Sequence, residues 1–394
     1  MSERHPPQVV SDVAAAFEAT CGAAPAGVWS APGRVNLIGE HTDYNGGLCL
    51  PIALPQRTYA AVSRRDDDLL RMGSAQQDGL VEVALTDVSP QVPAGWGAYV
   101  AGVVWALRRD GLLVGGLDVV VDSTVPFGAG LSSSAALECA VAAAASDLFG
   151  LDLLASGESR ARLAALCVEA ENVIAGAPTG GMDQSAALLC EEASALLLDC
   201  RSGQTRQVPF DVGGTGHVLL VTDTKAEHSL VDGQYAARRE SCESAARELG
   251  VETLREIEPA GLDGALARLD SDEMRRRVRH VVTEIERVTR TVAALESHDL
   301  EEVGRLFDAS HASLRDDYEV SCEELDVATA TARSHGALGA RMTGGGFGGS
   351  CIALVEATRA EAVGAAIAAA FDEAGFTAPE SFTVTASAPA HRDT

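Results

Sequence analysis

One stretch constrains the architecture more than any other. Residues 116–150 read GLDVVVDSTVPFGAGLSSSAALECAVAAAASDLFG. The run of Val at 119–121 predicts a strand, and the Ala-rich segment from 132 onward predicts a strong helix ended by Gly150. Between them lies a loop of small residues. Gly128 and Gly130 let the backbone turn tightly, and Ser132, Ser133 and Ser134 bring hydroxyls to the point where a helix leaves its first N–H groups unpaired. The helix dipole is positive there, so this strand–loop–helix is an anion site that needs no lysine. An ordinary Ser-capped helix accounts for one serine and one glycine of the segment.

The rest of the chain mixes both kinds of element. Residues 9–20 have helical spacing, GVWSAPGRVNLIGEH reads as a strand entering a turn, and RTYAAVSRRDD, LLRMGSA and VEVALTDV read as short strands. Residues 96–111 and 158–174 have helical patterns. SALLLDC (194–200) and HVLLVTDT (217–224) are strands. The second half is more helical: 272–297 is a long charged helix with the spaced pairs Glu284/Arg287 and Glu286/Arg290. GARMTGGGFGGSCIALV follows as a strand–turn–strand, then a helix over 359–374 and a strand, SFTVTAS. Strands early and helices late imply an α+β fold rather than a regular βαβ array. The length of 394 residues suits two domains. The least patterned stretch is 201–216, which places the boundary there, with domains of 1–205 and 206–394.

Composition narrows the partners. With 30 basic and 57 acidic residues the net charge is −27, which repels nucleic acid and anionic membrane and leaves a phosphate ligand dependent on a locally positive site. Lys225 is the single lysine; it is preceded by Thr224 and followed by Ala226, so no G-K-[ST] phosphate loop exists. The nine cysteines are scattered without a C-x-x-C pair and read as reduced, buried thiols. The N-terminal MSERHPPQVV lacks the apolar core of a secretion signal, and no apolar run reaches 18 residues, so a cytoplasmic protein is expected.

Three further segments hold chemistry. GRVNLIGEHTDYNGG (33–47) crowds Arg34, Glu40, His41 and Asp43 around an apolar triplet. It is either a solvated loop or a cup for a ligand covered in hydroxyls. TGGGFGG (343–349) is a tight hairpin, or a turn that approaches a ligand or the first loop closely. CVEAENVIAGAPTGGMDQSAA (167–187) offers Glu171, an exposed helical charge by default, and Asp183, a helix N-cap by default.

In this order and spacing, PGRVNLIGEHTDYNGG, PFGAGLSSSAALE, GAPTGGMDQ and RMTGGGFGGS resemble the GHMP small-molecule kinases, and the first narrows the likeness to the galactokinase branch. The pattern from His228 to Arg239, HSL…Y…RR, is also similar, although Gly233 and Gln234 stand where the family has Ser-Glu before the tyrosine. The resemblance spans nearly the whole chain.

The resemblance implies two α+β domains, the first like ribosomal protein S5, with the active site in the cleft between them. It implies transfer of the γ-phosphoryl of ATP to the C1 hydroxyl of α-D-galactose by a monomer, with Mg²⁺ as the cation. The galactose segment is 30–50, the ATP loop 126–138 and the catalytic segment 171–184. By position, Gly128, Ala129, Gly130, Leu131, Ser132, Ser133 and Ser134 cradle the phosphates, and Ser74 or Trp96 meets the nucleotide. Ser134 and Glu171 hold the metal, a hydroxyl and a carboxylate being apt for a cation whose remaining ligands are water and phosphate. Asp183 is the base and Arg34 its partner. Glu40, His41, Thr42, Asp43, Gly180, Asp183 and Tyr235 hold the sugar. The alternatives are another GHMP kinase (for N-acetylgalactosamine, arabinose or mevalonate) and a non-catalytic galactose sensor.

Overall fold

A computed structural model describes residues 4–226 and 231–394. Its first sheet has six strands in the order His391–Arg392, Gly27–Asn36, Pro51–Arg64, Leu117–Ser123, Leu69–Ser74 and Gln77–Ala84. All neighbours are antiparallel except Leu69–Ser74 beside Leu117–Ser123, which run parallel. Alternation along these strands feeds two layers. Val28, Tyr59, Ala61 and Val120 face the N-terminal helix Pro6–Cys21, which buries Val9, Val13 and Phe17 against them. Trp29, Ala60, Val62, Val119 and Val121 face the opposite side, under Gly97–Arg109, Ser133–Leu148 and Gly157–Ala170. The helix Ser133–Leu148 buries an almost unbroken run of Ala, side chains short enough to let it lie close over the strands Gly27–Asn36 and Pro51–Arg64.

A second, antiparallel sheet has the order Gly339–Thr343, Ser350–Glu356, His217–Asp223, Glu380–Val384. Helices Val231–Leu249, Asp272–Glu296, Leu300–Ser313, Glu323–Ser334 and Ala360–Ala374 complete that half. Between the two halves, Leu37 and Ile38 are fully buried in a cluster with Val288, Val292, Phe307 and Ile352. The apolar triplet of the first motif thus anchors its polar residues to both halves.

A third, three-stranded sheet pairs Ser194–Asp199 with Leu48–Cys49 on one side and Thr205–Pro209 on the other. The stretch 201–216 therefore contains a strand, and position 205/206 falls at its first residues. The strand His391–Arg392 returns to the edge of the first sheet. On the long helix, Arg287 does bond Glu284, at 2.7 Å, but in the interior: Glu284 is fully buried. Arg290 turns away from Glu286 and pairs with Glu302 of the next helix at 2.6 Å. All nine cysteines are free thiols, of which Cys21, Cys200 and Cys322 are only half-buried. Among the described residues no helix is long and apolar enough to cross a membrane.

Candidate active site

The loop 126–134 leaves the strand Leu117–Ser123 and enters the helix Ser133–Leu148 as expected. Gly128, Gly130 and Ser132 all take left-handed backbone angles, with φ of 74°, 69° and 60°. Ala129 and Leu131 point into the core, while the three serines line the outer face. The second glycine cluster packs against this loop. A Cβ on Gly344 would meet the Gly130 carbonyl at 2.9 Å, and Ser350 Oγ donates to the Ala129 carbonyl at 2.8 Å. Close approach to the first loop thus explains part of the glycine excess. Gly33 serves the same end from the other side, since a Cβ there would meet the Leu131 carbonyl at 2.7 Å.

Arg34 and Asp183 meet beside this loop. The guanidinium forks onto the carboxylate, Nε to Oδ1 at 2.8 Å and Nη2 to Oδ2 at 2.9 Å, while Nη1 donates to the Gly130 carbonyl at 2.6 Å. Ser132 Oγ also donates to Asp183 Oδ2. Asp183 begins a helix, Met182–Leu189, but as its second residue; the cap is Gly181, at φ 91°, and no side chain caps this end. Asp183 is therefore not an N-cap. A two-point, charge-assisted bond to a buried arginine outcompetes local backbone N–H groups.

Next to this pair lies the 39–47 loop. Asp43 is half-buried, and burial together with the nearby Asp183 charge pushes its carboxyl up to about 6. Gly180 lies against it: any Cβ there would overlap the Asp43 carboxylate. The Tyr235 ring packs on His41 and Tyr44 with centroids 5.4 and 5.5 Å apart. His41 uses both ring nitrogens. Nε2 faces the Gly345 carbonyl at 3.1 Å and so carries the hydrogen, which leaves Nδ1 to accept from the Tyr44 hydroxyl at 2.8 Å. Tyr44 accepts in turn from Tyr318 at 2.8 Å. Burial, with His280 close by, lowers His41 to about 3, so it is neutral. Thr42 turns its hydroxyl inward to the Gly39 and Leu48 carbonyls, at 2.9 and 2.7 Å, closing the loop on itself.

Glu40 lies deeper. It is 2% exposed, bonded to Arg341 Nη2 on one oxygen and to the Gly344 N–H, at 3.0 Å, on the other. Burial outweighs Arg341 and pushes its carboxyl above the ordinary range. Arg341 itself is fully buried and also donates to the Leu37 carbonyl at 2.8 Å. Nothing in the sequence pattern marked Arg341 as functional, although a lone arginine inside the apolar strand Gly339–Thr343 is the kind of residue that must have a buried partner.

Glu171 is not a surface charge. It opens a π-helical turn, Glu171–Ala175, and is 6% exposed. Ser134 and Gln184 hydrogen-bond it; burial and Asp183 nevertheless push its carboxyl up to about 7. Glu138, fully buried one turn along the helix from Ser134, is raised further by burial and by Glu171. Three acidic side chains, Glu138, Glu171 and Asp183, thus lie near the serines with Arg34 as the near cation; burial favours the neutral forms of the two glutamic acids, and a hard divalent cation beside Glu171 would favour its charged form. Among the described residues no group of three or more His, Cys, Asp and Glu is arranged to hold a metal ion alone.

The remaining candidates stand at the margins. Ser74 ends the strand Leu69–Ser74 at a register shift and receives the Gln76 N–H at 3.1 Å. Trp96 precedes the helix Gly97–Arg109 and packs partly on the core. His228 lies outside the described residues.

A glycine- and serine-rich loop, an arginine–carboxylate pair and a cluster of polar side chains therefore meet where two halves of the chain converge. Comparisons with known proteins agree with this assembly. Three family models match: the galactokinase galactose-binding signature over residues 15–64, the GHMP kinases N terminal domain over 98–191 and the GHMP kinases C terminal over 291–373. The chain is 53% identical to a galactokinase of Streptomyces coelicolor, over 98% of each sequence. It is 43% identical to a galactokinase of Canis lupus familiaris, over 91% of this chain and 92% of that one. The crystal structure of Lactococcus lactis galactokinase complexed with galactose superposes with a TM-score of 0.92 at 30% identity, over 98% of this chain and all of that one. Methanococcus jannaschii mevalonate kinase, at 16% identity and a TM-score of 0.65, shares the fold.

Proposed function

The chain belongs to the galactokinase family of the GHMP kinases, and from that premise we propose how its residues divide the work. It is an ATP-dependent sugar kinase that converts galactose to galactose 1-phosphate. The observation that carries the assignment of roles is the Arg34–Asp183 fork, bridged by Ser132 to the mouth of the Gly128–Ser134 loop.

In this reading the loop and the first turn of its helix hold the ATP phosphates through backbone N–H groups and serine hydroxyls. Asp183 faces the C1 hydroxyl of the sugar and accepts its proton, or orients it until the proton leaves. Phosphoryl transfer passes through a loose transition state, so positioning and charge stabilisation dominate. Arg34 serves both needs: two N–H groups keep Asp183 ionised and aimed, and its charge lies where negative charge spreads on the transferred group. Asp43, Gly180 and Tyr235 shape the sugar pocket. His41 and Glu40 brace it against the glycine turn 343–349, with Thr42 holding the loop closed. Ser74 and Trp96 lie toward the nucleotide. Mg²⁺ held by Ser134 and Glu171 would neutralise phosphate charge. The sugar and phosphate segments belong to 1–205, and Tyr235 and the glycine turn to 206–394. In this reading the chain is a cytoplasmic monomer; its acidic charge disfavours nucleic acid and anionic membrane, and its free thiols suit a reducing compartment.

A coupled ADP-release assay across galactose, glucose, N-acetylgalactosamine, arabinose and mevalonate tests the reading. Galactose-dependent ADP release is the expected result. Faster turnover of another member of the panel would reassign the substrate, and galactose binding without ADP release would make the chain a sensor.

A further inference from the structure

Asp183 and Gln184 are neighbours on the first turn of the helix Met182–Leu189, yet they face opposite ways. The Asp183 side chain keeps 22% of its surface exposed, toward the cleft, whereas Gln184 is fully buried. Gln184 Nε2 donates to two carboxylates at once: to Glu138 Oε2 at 3.1 Å and to Glu171 Oε2. In this arrangement Nε2 is the amide atom that faces both acids, while Gln184 Oε1 and the second Glu138 oxygen, Oε1, are buried without a partner.

Glu138 lies four residues after Ser134 on the helix Ser133–Leu148, one turn further along the same face. Glu171 belongs to a different element and starts a π-turn, where the regular i→i−4 bonding has been widened. Its carboxylate is held by side chains of other elements, Ser134 and Gln184. Through Gln184 its carboxylate is tied to the helix that bears Ser134, and to the turn that bears Asp183. We propose that Gln184, held in place by Glu138, is a positioning residue that sets the cation ligand Glu171 relative to Ser134 and Asp183.

The residue type fits the task. A lysine or arginine between Glu138 and Glu171 would bond both acids, but its charge would cancel the attraction for a divalent cation. A leucine would leave Glu138 buried without this donor and Glu171 with Ser134 alone. A glutamine supplies two N–H groups and no charge. It occupies one Glu171 oxygen and leaves the other outside this bond. Glu138 contributes an acceptor, so a glutamine at 138 presents an equivalent oxygen to Gln184 and a leucine presents none. Partners of this kind, one bond behind a metal ligand, change metal affinity by about 10- to 100-fold when removed.

The inference rests on the reading of Glu171 as a cation ligand, and the experiment separates the two. Mn²⁺ is titrated into the full-length protein holding ADP, with free Mn²⁺ followed by electron paramagnetic resonance; galactose binding is measured on the same samples by calorimetry. Gln184→Leu is expected to weaken Mn²⁺ binding by about 10- to 100-fold while galactose affinity stays within about threefold, a split that general loosening of the fold does not produce. Glu138→Leu is expected to follow Gln184→Leu, and Glu138→Gln to stay within about threefold of the parent. Parent-like Mn²⁺ binding by Gln184→Leu overturns the proposal. So does a loss in Glu138→Gln as large as in Glu138→Leu, which would make Glu138 a charged ligand rather than a post. If Gln184→Leu does not fold, the two Glu138 variants decide on the same criteria. Unchanged Mn²⁺ binding by Glu171→Ala would instead remove the ligand assignment on which the proposal stands.

Discussion

Replacing Asp183 with Asn keeps the shape of the side chain and removes its charge. The structure indicates what is lost. The carboxylate takes two bonds from Arg34, at 2.8 and 2.9 Å, and one from Ser132. An amide has one oxygen, so it can satisfy one Arg34 N–H and must turn its NH₂ toward the other or toward Ser132. Arg34 keeps its bond to the Gly130 carbonyl. The stability cost is therefore about that of one charge-assisted hydrogen bond, roughly 1.5–3 kcal/mol, discounted because the Asp183 side chain is 22% exposed. It stays below the roughly 3–5 kcal/mol of a fully broken buried pair. The chemical step loses more. A positioned base contributes about 10²- to 10⁴-fold, or about 2.7–5.4 kcal/mol at 1.36 kcal/mol per decade. Steady-state ADP release should show kcat reduced by at least about 10²-fold, with galactose affinity within about tenfold and a melting temperature only a few degrees lower. Turnover within about threefold of the parent would refute the reasoning and leave Asp183 as a support for Arg34 alone.

Asp43, held at about 6 by burial and Asp183, is ionised above that pH and protonated below it. If the anion is the sugar-binding form, galactose affinity measured without nucleotide should fall about tenfold per unit as pH drops below 6, and Asp43→Asn should flatten the profile. A carboxylate that pairs with the C3–C4 edge also predicts discrimination against glucose by about 10⁴-fold, because an equatorial C4 hydroxyl leaves it under-paired; equal turnover of the two hexoses contradicts this. Gly180→Ala places a Cβ into the Asp43 carboxylate. A displacement on that scale should lower kcat/KM for galactose by about 10²-fold, whereas Gly264→Ala, on the short helix Leu262–Leu266 with nothing within 4 Å of its new Cβ, should leave kcat/KM unchanged. Arg341→Met leaves Glu40 buried without its partner and should destabilise the protein by about 3–5 kcal/mol in chemical denaturation, with Glu40→Gln in the same chain restoring part of the loss.

Much of the fold was legible because its signals are local. The Val-rich strand, the glycine–serine turn and the alanine helix of 116–150 each follow from side-chain shape and backbone freedom within a few residues. The loop 126–134 is of this kind; the helix after Gly181 was legible as a helix, but it starts at Met182 and not after Asp183. The residue roles around it were less so. Asp183 reads as a helix cap until Arg34, 149 positions away, supplies a better partner. Glu284 and Arg287 read as an i,i+3 pair, but only the packed helix shows that this pair faces inward. Gln184, Glu138 and Arg341 stand at the ends of the motif segments but were given no role, because each is defined by what it meets rather than by what surrounds it in sequence.

The amino-acid sequence by itself determined the α+β class, the exclusion of a lysine phosphate loop and the four segments that contribute to the site. Tertiary structure decided how the polar residues within those segments divide. In the 39–47 loop, Asp43 lies half-buried against Gly180, Glu40 is paired with Arg341 at a separation of 301 residues, and His41 spends both nitrogens on Tyr44 and Gly345. The physical reason is that hydrogen bonding is saturable. A carboxylate, an imidazole or a hydroxyl faces a ligand only if no neighbour from elsewhere in the chain has already taken its lone pairs and protons, and those neighbours are assembled only when the two halves close over Leu37 and Ile38.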